Sequence, residues 1–85
     1  MSKVLNFRYQ GQQFSIKVSR FNGRISLGND GWLAGEFWSV GKLVKACQEI
    51  VRHQRGTMRV PSMSRRTVER IENFVRLHEN AWLGN

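Results

Sequence analysis

The chain has 85 residues, with 14 Lys and Arg against 6 Asp and Glu, so its formal charge is +8. This length predicts one domain, residues 1–85, and a hydrophobic content of 40% excludes a disordered basic tail. The single cysteine excludes a disulfide framework or a cysteine-rich zinc site, and no apolar run reaches the roughly 18 residues of a membrane span. We expect a folded protein of the reducing cytoplasm, with no secretory signal, membrane segment, metal or cofactor.

The first 28 residues predict an antiparallel β-meander. Alternating apolar and polar residues mark strands at about 3–10, 13–21 and 24–28, and turn residues separate them. One face of this sheet is apolar and suits a core. The other face is polar and carries Arg8, Lys17, Arg24 and Phe21 among Ser and Gln residues.

Two turns set the predicted register of this sheet. Gly11-Gln12 fits a two-residue type II′ turn, which pairs Tyr9 with Phe14. Asn22-Gly23 is a strong signal for the second hairpin, with a positive φ at both residues, and pairs Phe21 with Arg24.

Residues 28–38 have two interpretations. Three glycines and Asn-Asp indicate a loop, whereas the aromatic residues of this segment suit contact with the core. The segment is either a short fourth strand near 35–38 or a lid over the edge of the core. We expect at least two of the three tryptophans to be buried, because small domains rely on such large side chains.

Two amphipathic helices are predicted at about 39–54 and 64–82, with Ser39 and Ser64 as N-caps. Together with the meander they indicate an α+β domain, in which a three- or four-stranded antiparallel sheet packs under two helices. The apolar arc of the second helix is wider than one contact needs. A homodimer through Phe74 and Leu77 is therefore expected.

The basic residues are segregated along the chain. Residues 1–29 and 50–68 each contain five Lys or Arg and no carboxylate. Such a focused field attracts a polyanion, and we expect nonenzymatic nucleic-acid binding, with double-stranded DNA favoured over RNA. The candidate binding residues are Arg8, Lys17, Arg24, Arg52, Arg55, Arg59, Arg65 and Arg66. A solvated basic surface without a partner is the simpler alternative.

Residues 62–75 resemble the start of a helix-turn-helix recognition helix. Ser64 occupies the cap position, Arg65 and Arg66 follow it, and Thr67-Val68 precede Arg70. The resemblance implies that the helix N-terminus contacts phosphates and that its early side chains meet base edges. The alternative is a capped amphipathic helix with basic ends.

Residues 14–51 resemble the AP2-type and integrase arm-binding domains, through RISLG at the end of a three-stranded sheet, then GEFW and a helix. This resemblance implies that the polar face of the sheet enters the major groove through Arg8, Lys17 and Arg24. The basic sheet is also similar to single-strand-binding coactivators, which implies base stacking on Phe21, Trp32 or Trp38. Size and basicity resemble small regulatory or accessory proteins of bacteria and phages.

Two other functions stay open. A small inhibitor or adaptor could dock on an acidic protein or a nucleoprotein surface, since Trp and Arg dominate interfaces. A metal-free RNA-cleaving toxin would have Tyr9, His53 and Arg55 at its disposal, although no catalytic set is recognisable. The candidate residues for the protein interface are Trp32, Phe37, Trp38, Phe74 and Leu77.

Overall fold

The fold is α+β, as predicted, and has four strands. The computed structural model describes residues 3–19 and 21–83, and their side chains as far as residue 78. The strands form one antiparallel sheet in the order β1-β2-β3-β4. The elements are β1 (Leu5–Tyr9), β2 (Gln12–Val18), β3 (Ile25–Asn29), β4 (Trp32–Phe37), α1 (Val40–Arg55) and α2 (Arg65–Leu83).

The β1–β2 hairpin turns at Gln10 and Gly11, where φ is 53° and 78°. Two successive positive φ angles are the signature of a type I′ turn, with glycine in the second central position. Tyr9 therefore pairs with Gln12, and Phe14 pairs with Phe7. The predicted Gly11-Gln12 turn and the Tyr9–Phe14 pair are wrong. The register differs by two residues, so each side chain keeps its predicted face.

The β2–β3 connection is longer than the predicted two-residue turn. Ser19 and Arg24 close it through a backbone hydrogen bond of 2.9 Å, and Val18 pairs with Ile25. Of Asn22 and Gly23, only the glycine has a positive φ. The Asn22 side chain instead accepts a hydrogen bond from the Arg24 backbone N–H. The predicted positive φ at Asn22 and the Phe21–Arg24 pair are therefore wrong.

Residues 28–38 form a hairpin with a fourth strand and not a lid. Asp30 and Gly31 have φ of 50° and 85° and make a second turn of the I′ kind. Leu27 pairs with Gly35 while Gly28 pairs with Leu33, which leaves Ala34 as an extra residue in β4. This β-bulge interrupts the regular alternation of β4.

Both helices cover the same face of the sheet. α1 contacts β3 and β4, α2 contacts β1 and β2, and the two helices contact each other. The predicted N-caps are confirmed, because Ser39 Oγ accepts a hydrogen bond from Lys42 N and Ser64 Oγ accepts one from Thr67 N. The core lies between sheet and helices and consists of Phe7, Tyr9, Phe14, Ile16, Ile25, Leu27, Leu43, Cys47, Val51, Met63, Ile71 and Val75.

Side-chain hydrogen bonds tie the helical layer to the end and edge of the sheet. The Tyr9 hydroxyl donates to the Pro61 carbonyl and so anchors the connector between the helices. The Arg70 guanidinium donates to the Asn6 carbonyl of the outer strand β1 at 3.4 Å. The connector and α2 are thereby fixed to β1.

The expected burial of at least two tryptophans is wrong. Trp32 is 79% exposed and Trp38 is 62% exposed, and the side chain of Trp82 lies outside the described residues. Trp32 belongs to β4, an outer strand of the sheet, and Trp38 follows that strand directly. Phenylalanine and aliphatic side chains fill the core instead.

The predicted dimer surface on α2 is only partly exposed. Phe74 packs against the core of its own chain and lies 4.2 Å from the His78 ring, centroid to centroid. Leu77 stays 69% exposed. The apolar arc is therefore divided between intramolecular packing and solvent, and the homodimer stays a prediction.

Candidate nucleic-acid interface

The face of the sheet opposite the helices is here called the open face, and most of its side chains are polar. In its central rows Ser15 lies opposite Gly28, and Ser26 lies opposite Lys17. A Cβ at Gly28 would lie 2.8 Å from Ser15 Oγ, so a glycine here leaves room for the Ser15 side chain. By strand register the open face also contains Asn6, Arg8, Gln13, Leu33 and Glu36, and Arg24, which directly precedes β3, contacts Glu36 there.

Arg8 and Lys17 give the open face its unbalanced charge. Both side chains belong to exposed residues of β1 and β2. Among the residues whose side chains are described, neither cation has a carboxylate within ion-pair distance. These two charges are therefore available to an anionic ligand.

Arg24 is held by two neighbours at one end of the open face. Its Nη1 lies 3.0 Å from Glu36 Oε1, and its guanidinium carbon lies 4.8 Å from the centroid of the Trp38 ring. Both ion-pair partners are partly exposed, so the pair adds little stability. Its main effect is to fix the orientation of the arginine and of the indole.

The five other predicted cations do not share this surface. Arg52 pairs with Glu49 on α1, and Arg65 lies 3.4 Å from Glu69 on α2. Arg59 and Arg66 are exposed, on the connector and at the start of α2. The predicted set of eight residues therefore divides into three on the open face and five on the helical layer and its connector.

Arg55 has a structural contact that the sequence did not indicate. Its guanidinium donates to the Gln10 side-chain oxygen at 2.9 Å and to the Gln10 carbonyl at 3.1 Å. The end of α1 is thereby joined to the β1–β2 turn.

The connector between the helices, residues 56–64, is longer than the turn of a helix-turn-helix motif. Both helices lie on the sheet, and the resemblance of residues 62–75 to a recognition helix is therefore limited to the helix start.

The predicted protein-interface residues also divide. Trp32, Trp38 and Leu77 are exposed, whereas Phe37 and Phe74 pack against the core. Trp32 pairs with Asn29 and lies at the opposite end of β4 from Trp38. The two exposed tryptophans therefore belong to different ends of the sheet.

The candidate groups for chemistry are unfavourably placed. Tyr9 is buried, its hydroxyl is bonded to Pro61, and burial raises its pKa. Burial also raises the pKa of the Cys47 thiol to about 12. In the part of the chain that the structure describes, no three His, Cys, Asp or Glu side chains converge as metal ligands. In that same part, neither helix has the length and apolar character to cross a bilayer.

The contacts of Arg24 are the part of the site that sequence reasoning missed. Glu36 and Trp38 are two residues apart and therefore project from one face of an extended chain. Their relation to Arg24 follows only when β4 is extended to Trp32–Phe37 and its register with β3 is known. The signal for that strand was Asp30-Gly31, a type I′ turn pair.

In comparisons with known proteins, no family model, curated protein or solved structure matched this chain.

Proposed function

We propose that this protein binds nucleic acid without enzymatic activity, through the open face of its sheet. The observation that carries the proposal is the pair of unbalanced cations, Arg8 and Lys17, on a largely polar surface. A chain of net charge +8 has a strong electrostatic attraction to a polyanion. The proposed setting is a reducing cytoplasm, and the proposed role is regulatory or accessory.

The polar side chains of the open face suit contact with a phosphate backbone. Serine, glutamine and asparagine side chains supply short-range hydrogen bonds, and the cations supply the long-range attraction. Duplex DNA is the ligand that the sequence predicted, and a β-sheet surface of this kind can approach a major groove.

A salt titration tests the proposal. If Arg8 and Lys17 each neutralise one phosphate, the log–log slope of duplex affinity against salt is about −1.8. The double variant Arg8→Gln/Lys17→Gln should reduce that slope by about 2. Arg59→Gln/Arg66→Gln removes the same charge from the helical side and should change the slope by less than about half as much. The measurement is fluorescence anisotropy of a labelled duplex.

Two results contradict the proposal. One is an equal reduction of the salt slope in both double variants, which indicates attraction by net charge alone. The other is a dissociation constant above about 100 µM at physiological salt for both a duplex and a single strand, which is weaker than ordinary non-specific binding.

Removing the carboxylate of the open face should strengthen binding. Glu36→Gln frees Arg24 for a phosphate and removes a repulsive charge, so we expect a slope steeper by about 1 and an affinity gain on the order of fivefold. Glu72→Gln on the exposed side of α2 removes the same charge elsewhere and is the matched control. Weaker binding by Glu36→Gln, or an equal gain in both variants, contradicts this role of the open face.

Protein binding is the second candidate function, and the exposure of Trp32 and Trp38 favours it. Exposed tryptophans beside arginine are typical of interface hot spots. The two candidates differ in their expected response to nucleic acid. An acidic protein partner predicts negligible nucleic-acid binding at physiological salt and loss of the partner in Trp32→Ala or Trp38→Ala proteins that remain folded.

A further inference from the structure

We infer that Trp38 is a stacking platform for an unpaired base, so that the preferred ligand is a single strand. This inference rests on the proposed nucleic-acid function and specifies its ligand. Three features carry it: the exposure and fixed position of Trp38, a second exposed aromatic ring at the same end of the sheet, and the cations nearby.

Trp38 presents a large flat ring that is already positioned. It is 62% exposed, and the Arg24 guanidinium lies over its ring at 4.8 Å. The pair between Arg24 and Glu36, at 3.0 Å, holds that guanidinium in place. A ring ordered before binding loses less conformational entropy when a base stacks on it. The remaining exposed surface of the indole is thus suited to a nucleobase.

Phe21 supplies the second aromatic group. It lies in the β2–β3 connection and is 92% exposed. Ile25 at the start of β3 pairs with Phe37, which directly precedes Trp38, so the connection and Trp38 share one end of the sheet. Lys17 pairs with Ser26, and Ser26 pairs with Glu36. This row of paired residues is adjacent to the pair of Ile25 and Phe37, so the Lys17 cation lies near the same end of the sheet.

Aromatic rings beside cations suit a single strand better than a duplex. In a duplex the bases stack on one another, and a protein surface meets only phosphates and base edges. In a single strand each base offers a free face, and stacking on an aromatic side chain is tolerant of sequence. Phe21 and Trp38 would stay unused against an intact duplex, whereas both can stack with a single strand.

The chain contains a matched control for this inference. Trp32 is also exposed, but it pairs with Asn29 at the opposite end of β4. Its register position places it on the face that carries the helices, away from the open face. A substitution of Trp32 therefore removes an exposed indole without altering the proposed platform.

The experiment compares oligothymidylate of about 16 nucleotides with a mixed-sequence duplex of about 16 base pairs, both at about 150 mM salt. We expect tighter binding of the single strand and quenching of tryptophan fluorescence. Trp38→Ala should weaken single-strand binding by about 5- to 150-fold, the range for loss of one stacked base, and duplex binding by less than about twofold. Trp32→Ala should leave both affinities unchanged.

Further measurements separate stacking from folding. Trp38→Phe should retain most of the affinity but lose most of the quenching, and Trp32→Phe should retain both. Phe21→Ala, in an exposed connection, should weaken single-strand binding specifically even if Trp38→Ala fails to fold. Circular dichroism melts establish that each variant is folded.

The outcomes distinguish this inference from the function on which it rests. Salt-dependent binding with no preference for the single strand, or with equal effects of Trp38→Ala and Trp32→Ala, overturns the stacking platform and leaves the proposed function standing. Absence of binding to either nucleic acid overturns both. In that case, a defined acidic protein that binds wild type and requires Trp38 would assign the surface around Trp38 to protein recognition.

Discussion

Phe14→Ala is expected to lower the free energy of unfolding by about 3–5 kcal/mol. Phe14 is fully buried in β2, and its ring stacks on Phe7 with 5.5 Å between centroids. A domain of this length has a total stability of about 4–13 kcal/mol, so the loss is a large part of the whole. The substitution leaves a cavity between the sheet and the helices that the surrounding backbone cannot fully close.

Phe21→Ala is the matched control, because it makes the same chemical change at a residue that is 92% exposed. Its effect should stay within about 0.5 kcal/mol. Urea denaturation, monitored by circular dichroism, measures the free energy of unfolding of both variants. A loss below about 1 kcal/mol at Phe14, or equal losses in the two proteins, would show that the core is not arranged as described.

Cys47 is expected to react with a thiol reagent at least about 1000-fold more slowly in the folded protein than in the unfolded protein at pH 8. Its side chain is fully buried on α1, and burial raises its pKa to about 12. The reactive thiolate is therefore a fraction on the order of 10⁻⁴ at that pH, against roughly 0.2 for an ordinary thiol. Labelling with Ellman's reagent, with and without urea, measures the difference.

The same shift predicts how stability depends on pH. Folding favours the neutral thiol, so the stabilisation is complete below the ordinary cysteine pKa and is lost as pH rises towards about 12. The free energy of unfolding should therefore decline above about pH 9 by up to about 1.4 kcal/mol per pH unit. Cys47→Val should retain only the smaller decline due to Tyr9, whose pKa is also raised. Rapid labelling of the folded protein would contradict the burial of this thiol.

The meander could be predicted because two properties of the sequence agree. Alternation of apolar and polar residues assigns the faces of β1 to β3, and this assignment survives the wrong choice of turn. The position of the turn was harder to predict, because a glycine such as Gly11 fits either central position of a primed turn. The actual turn requires a positive φ at Gln10, a non-glycine residue that gives no local signal for it.

The fourth strand was predicted only in part, because the bulge at Ala34 breaks its alternation. A strand with an extra residue does not show a regular period of two, and its exposed tryptophans resemble core residues in composition. Prediction of the candidate site from the sequence is limited by the same strand. Arg8, Lys17 and Arg24 were assigned to one face from periodicity, but Glu36 and Trp38 required the pairing of β3 with β4.

The bulge at Ala34 also bears on β-strand pairing between copies of this protein at the edges of the sheet. Within residues 3–19 and 21–83, both outer strands of the sheet have a side with no neighbouring strand. Such edges can template intermolecular β-sheet growth. At β1, the Asn6 carbonyl accepts a hydrogen bond from the Arg70 guanidinium. β4 contains neither Lys, Arg nor Pro, and its extra residue is the feature that disturbs the spacing of its free N–H and C=O groups. The bulge at Ala34 is thus the irregularity that opposes regular strand pairing at the edge that has no basic side chain.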